Sequence, residues 1–183
     1  MKRSPIVDSL QTVFEGCCYE LFSSYQCEVT LVPYIEIDYI IDQFENDYSA
    51  VIDLGSDDIE LFSVLQMPLS VLAMTYPVPD VLTLTDEALE DWISELSTQL
   101  IGRLKNQLLK HDCNLKLGLP ETYYEKDIDD ILPENSGRFT LYFDIDREIC
   151  GCTLSVEIFN ENMEFSVEEN NMDLMDEGEL ELF

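Results

Sequence analysis

Glu95, Thr98 and Gln99 put a carboxylate, a hydroxyl and an amide within five residues of one another. Positions three apart are neighbours on a helix surface, so in a helical segment Glu95 and Thr98 sit side by side. Glu95 supplies charged acceptor oxygens, Thr98 one short hydroxyl on a stiff β-branched carbon, and Gln99 a carbonyl acceptor beside an NH2 donor. Such groups hold water and ions, and they are also what an ordinary solvated helix face presents. Other chemistry-bearing patterns are missing from the chain: it has no Gly-x-Ser-x-Gly, no Gly-rich phosphate loop and no His-Glu-x-x-His. The single histidine, His111, falls where a helix should end.

The element that must carry these residues is a long amphipathic helix. At 100° per residue, Leu89, Trp92, Ile93, Leu96, Leu100, Leu104 and Leu108 fall on one arc, the spacing of a helix packed on a core. The opposite face collects Asp91, Glu95, Thr98, Gln99, Gly102 and Asn106. Thr85 is placed to cap the start, with Asp86 and Glu87 in the first turn, where the helix dipole favours negative charge; Lys110 and His111 close the far end with the opposite sign. A glycine inside a helix costs about 1 kcal/mol and is usually kept for close packing or close approach, so Gly102 calls for an explanation. Residues Asn114 to Pro120 alternate as a strand that leaves the helix.

The order Glu95-Leu-Ser-Thr98-Gln-Leu-Ile-Gly102, Lys105, Leu108 and Leu115-Lys-Leu-Gly-Leu-Pro120 resembles the CheX/CheC group of chemotaxis phosphatases, and CheX more closely. There a Glu-x-x-Asn motif on a helix is followed by a glycine and by a strand ending in Leu-Pro. The likeness can be laid loosely over residues 4 to 160 and is specific between about 86 and 120. It implies a phosphatase acting on the receiver domain of a phosphorylated, CheY-like response regulator, in chemotaxis or two-component signalling. Hydrolysis there needs a water held in line with phosphorus beside Mg2+, an ion that belongs to the regulator, so no cofactor of the chain's own is implied. By the resemblance Glu95 is the docking carboxylate, and Asp91, Gly102 and Asn106 complete the partner-binding face. Thr98 occupies the asparagine position, which leaves Thr98 or Gln99 to orient water; Gln99 keeps the amide but lies about 100° around the helix from Thr98. The alternative is a catalytically degenerate module that keeps the dock and binds a regulator without hydrolysis. The first helix offers Glu15-Gly-Cys-Cys18 at the same spacing, again without asparagine. A homodimer through exposed strand edges is also implied by the resemblance.

Charge restricts the partners. The chain holds 39 acidic and 9 basic residues, a net charge of −30, with no lysine or arginine between Arg3 and Arg103. It repels nucleic-acid phosphates and anionic membrane surfaces, and it attracts basic patches. Solubility, a saline habitat and an acidic tail compete with a basic partner as explanations: Glu161 to Glu181 holds nine carboxylates, and Ser4 to Gly102 nineteen more. An acidic decoy for a nucleic-acid-binding protein is a weaker third reading, resting on charge alone.

At 183 residues the chain can bury a full core without metal or disulfides. No apolar run nears the roughly 20 residues of a membrane-spanning helix, and the start does not read as a secretory leader, so a cytoplasmic location is expected. The six cysteines, Cys17, Cys18, Cys27, Cys113, Cys150 and Cys152, lack zinc-site spacing and read as reduced, mostly buried thiols, with no metal site.

The remaining pattern gives a helix from Pro5 to about Phe22, a strand Cys27 to Val32, and a hairpin of Ser49–Leu54 with Ile59–Leu65. A short helix Leu69–Tyr76 follows, ended by Pro77-Val-Pro79. The strand after the long helix runs to about Tyr124, then an acidic loop reaches Gly137, then Arg138–Asp144 pairs with Cys152–Phe159. Residues 33–48 fit a strand or a helix equally. The order predicts an α+β fold with helices on a mostly antiparallel sheet, which agrees with the two-half CheC-like arrangement that the resemblance implies. The domain is expected over 1–160, with 161–183 an acidic tail, either disordered or a docking motif built on Leu180, Leu182 and Phe183.

Overall fold

The computed structural model describes residues 4–36, 48–77, 84–132, 137–160 and 162–163. The tail beyond 163, and most of the ambiguous segment 33–48, lie outside the described residues; Tyr34–Glu36 form a 3-10 turn and Tyr48 opens a strand.

The first helix, α1 (Pro5–Ser23), begins as its residues dictate: Ser4 is extended, Pro5 stands in the first turn, and Ile6, Val7, Leu10, Phe14, Cys17, Cys18, Leu21 and Phe22 form the buried stripe. After it come β1 (Val29–Leu31), the hairpin β2 (Tyr48–Gly55) and β3 (Ile59–Met67), and the short helix α2 (Leu69–Thr75). The long helix α3 (Asp86–Leu109) has the expected cap, with Thr85 Oγ1 accepting from the Ala88 N–H at 3.2 Å. Strands β4 (Lys116–Leu117) and β5 (Glu121–Tyr124), a one-turn helix α4 (Ile128–Ile131), and β6 (Phe139–Ile145) with β7 (Glu148–Ile158) complete the order.

Two expectations need correction. The single strand from 114 onward is broken into β4 and β5, because Pro120 has no N–H for the ladder and Gly118 instead donates its N–H to Asp53 O at 2.9 Å. The last hairpin is longer and tighter than its alternation suggested. Asp146 and Arg147 both have positive φ, 51° and 76°, and make a two-residue turn without glycine, so β7 starts at Glu148. Asp144 Oδ1 accepts the Arg147 N–H at 2.7 Å and steadies that turn.

The described strands form one antiparallel sheet in the order β1-β6-β7-β3-β2-β4, with β5 also on β2. The halves are interlocked. Helix α1 and β1 complement the late hairpin β6–β7, whereas α3, β4 and β5 complement the early hairpin β2–β3. Phe22 on Phe143 (5.6 Å) and Phe14 on Phe139 (6.1 Å) fix α1 to β6. Helix α3 buries Leu89, Ile93, Leu96, Leu100, Ile101, Leu104 and Leu108. At about 1.5–3 kcal/mol for each large apolar side chain, this burial outweighs the few tenths of a kcal/mol from surface pairs, so the core sets how α3 is rotated and which face it turns outward.

Candidate functional site: the outer face of the long helix

The rotation set by the core leaves Asp91, Glu95 and Asn106 exposed, with Thr98, Gln99 and Gly102 half-buried between them. They run along about 22 Å of helix axis. Charge is graded along it: Asp86, Glu87, Glu90, Asp91 and Glu95 precede Gly102, and Arg103, Lys105 and Lys110 follow. The helix is therefore anionic in its first half and cationic in its second. A Cβ placed on Gly102 would have no atom of the described residues within 4 Å, so no packing among them requires glycine there.

The three polar groups are tied to the protein. Thr98 Oγ1 donates to Ser94 O at 2.8 Å, which uses its only proton and leaves it acceptor capacity. Gln99 Nε2 donates to Glu95 Oε1 at 3.0 Å, and Gln99 Oε1 accepts the Tyr25 hydroxyl proton at 3.0 Å. The reverse amide orientation would set its carbonyl against the Glu95 carboxylate, so electrostatics select the one given. Arg103 Nη1 donates to the Gln99 backbone carbonyl at 3.2 Å, holding the same turn from below.

Beside this network lies an aromatic wall. Tyr25 (5.7 Å) and Tyr76 (5.8 Å) make T-shaped contacts with Trp92, whose indole N–H donates to Thr75 Oγ1 at 3.0 Å. Tyr25 belongs to the turn after α1, 74 residues from Gln99. Sequence reasoning missed it because no periodicity connects positions so far apart. Cys18 of the Glu15-x-x-Cys18 segment is fully buried, its thiol raised well above its usual value by burial and by a hydrogen bond with Cys152. It presents nothing to solvent.

Among the described residues no group of three or more His, Cys, Asp or Glu side chains could hold a metal ion, and no helix is long and apolar enough to cross a membrane. All six cysteines are free thiols.

Solved structures share this architecture. The chemotaxis protein CheX from Vibrio vulnificus superposes with a TM-score of 0.62 at 12% identity, covering 86% of this chain and 99% of that one. The CheX-CheY-BeF3-Mg2+ complex from Borrelia burgdorferi gives 0.55 at 10% identity, covering 83% and 97%. The fold is that of CheX and CheC-like chemotaxis proteins. The FliM middle domain from H. pylori matches it too, with a TM-score of 0.54 at 12% identity and coverage of 84% and 92%. No protein-family model matches the sequence, and no curated protein matches it. One fold therefore spans differently named proteins, and what this chain does must be argued from its own side chains.

Proposed function

We propose that this chain docks on the receiver domain of a response regulator through the outward face of α3, with Glu95 as the anchoring carboxylate, and holds the regulator without hydrolysing its phosphoryl group. Support for docking comes from the fold, from the CheX-CheY complex among its neighbours, and from the exposed Asp91, Glu95 and Asn106 that flank half-buried Gly102 on one stripe. The observation that carries the second half is the bonding of the water-positioning candidates. Thr98 gives its only proton to Ser94 and keeps an acceptor alone for a water, and the Gln99 amide is held by Tyr25 at one end and Glu95 at the other, so neither presents the freely reaching amide of an asparagine. Any Mg2+ in such a complex belongs to the receiver domain.

Phosphatase activity is the second reading, and one observation favours it: the Gln99 amide already touches the docking carboxylate at 3.0 Å. If docking drew the amide away from Tyr25, it would reach the water that Thr98 cannot.

The test has two parts. Binding to receiver domains of the source organism is measured with and without beryllium fluoride and Mg2+, and the decay of the phosphorylated regulators is followed with and without this protein. The expected result is binding that weakens at least about tenfold in Glu95→Ala, no faster decay with wild type, and acquired acceleration in Thr98→Asn. Acceleration by wild type that Gln99→Ala abolishes would establish the phosphatase instead. Absence of any binding would remove both readings.

Self-association would use a sheet edge, β1 or β4–β5, and sedimentation of the full chain tests it. With a net charge of −30, partners other than nucleic acid are favoured.

A further inference from the structure

We propose that Tyr25 is the positioning residue of the docking carboxylate: through the amide of Gln99 it fixes where Glu95 points before any partner arrives. The relay rests on two hydrogen bonds of 3.0 Å, Tyr25 Oη to Gln99 Oε1 and Gln99 Nε2 to Glu95 Oε1. Each orients the next. Because the phenol occupies the amide oxygen, the NH2 group must face the carboxylate, and because the NH2 group holds one carboxylate oxygen, the other is left for the partner. A glutamate without such a brace samples several rotamers, and ordering a long side chain on binding costs about 0.5–1.5 kcal/mol. The relay orders it beforehand.

Tyr25 is itself well held. Its N–H donates to Phe22 O at 3.1 Å, the turn closes through Gln26 N–H to Ser23 O at 3.3 Å, and Gln26 takes a positive φ of 61°. Ser24 Oγ donates to Leu21 O at 2.6 Å, and the ring makes a T-shaped contact with Trp92, which is only 9% exposed. Burial raises the phenol's pKa above its ordinary value, so the hydroxyl keeps the proton it donates. The groups facing it from α3 are Gln99, Glu95 and Arg103; Glu95 raises that pKa further, and Gln99 and Arg103 oppose the rise. The relay therefore joins the end of α1 to the middle of α3, a connection that neither helix could make alone.

The docking role of Glu95 is the reading proposed above, and the experiment separates the two. Tyr25→Phe keeps the ring and its contact with Trp92 and removes only the hydroxyl. In the free protein, the Gln99 side-chain amide and the Glu95 carboxyl carbon are followed by NMR, with the Trp92 indole N–H as a packing control. The expected result is that Tyr25→Phe moves both the Gln99 and Glu95 resonances and leaves Trp92 in place, although Tyr25 does not touch Glu95. Unmoved Glu95 would overturn the relay. Affinity for the receiver domain is then expected to fall about three- to tenfold in Tyr25→Phe, with no further effect of that change in a Glu95→Ala background. Full affinity in Tyr25→Phe, where Glu95→Ala binds weakly, would overturn the positioning role and leave docking intact. If Glu95→Ala binds as wild type does, or nothing binds wild type, the docking reading fails and the free-protein resonances alone decide the relay.

Discussion

A threonine inside a helix can give its hydroxyl proton to the carbonyl one turn back or to a group outside, and Thr98 gives it to Ser94. Thr98→Val, which keeps the shape and removes that bond, should leave receiver binding within about twofold of wild type, whereas Thr98→Asn supplies a free amide on a longer arm. Calorimetric titration of the two variants distinguishes a structural threonine from one that touches the partner. Two other hydroxyls offer a cleaner energetic test. Ser63 and Ser97 are fully buried, and their oxygens find no hydrogen-bond partner among the described residues. A buried hydroxyl without a partner forfeits its hydration for nothing, so Ser97→Ala should raise unfolding stability by about 1 kcal/mol, read as a higher urea midpoint at unchanged slope. At this scale the sequence was least legible. The apolar arc of α3 was evident, but Ser97 within it carries no sign of whether a partner exists, and the Tyr25 contact depends on a turn whose placement only the folded chain defines.

Helix α3 was legible almost entirely, because seven apolar residues at helical spacing, a threonine cap and acids in the first turn all point to the same element. Its neighbour was less so: the alternation from Asn114 suggested one strand, and the missing N–H of Pro120 divided it. Helix α4 lay hidden in an acidic loop because four residues cannot display a period. Gly102 gives this scale its sharpest test. Alanine there strikes no atom of the described residues, so Gly102→Ala should stabilise the protein by about 1 kcal/mol through helix propensity alone. The same reasoning applies to Gly16 on α1, where a Cβ also meets nothing within 4 Å. If a partner's surface passes close over α3, Gly102→Ala should weaken receiver binding while Gly16→Ala should not, although both raise the melting temperature. Equal binding by the two would place the partner elsewhere.

For the molecule as a whole, α+β class, antiparallel pairing and a CheX-like layout were legible in the sequence, and the way the two halves interlock was not, since strand order is set by contacts between distant segments. Charge acts at this scale too. A net charge of −30 repels itself, so raising salt from ~20 to ~300 mM should increase the melting temperature by screening that repulsion. Alkali should act in the opposite direction. Burial, and then the charge of Glu20, push the Cys17 thiol from 9.0 up to about 12. The native thiol thus holds its proton more tightly than the unfolded one, so its contribution is intact below pH 9.0 and is lost as pH rises toward about 12. Near pH ~10.5 the loss is on the order of 2 kcal/mol, and Cys17→Ala should recover part of the fall in urea midpoint between pH ~8 and ~10.5. The interlocked halves also bear on how the chain is made. Helix α1 rests on a hairpin that ends at Ile158, and Glu28 N–H meets Asp146 Oδ1 across 118 residues. During translation β2 through β5 can pair before β6 has been made, while α1, made ahead of them, waits for Phe139 and Phe143 to cover Phe14 and Phe22.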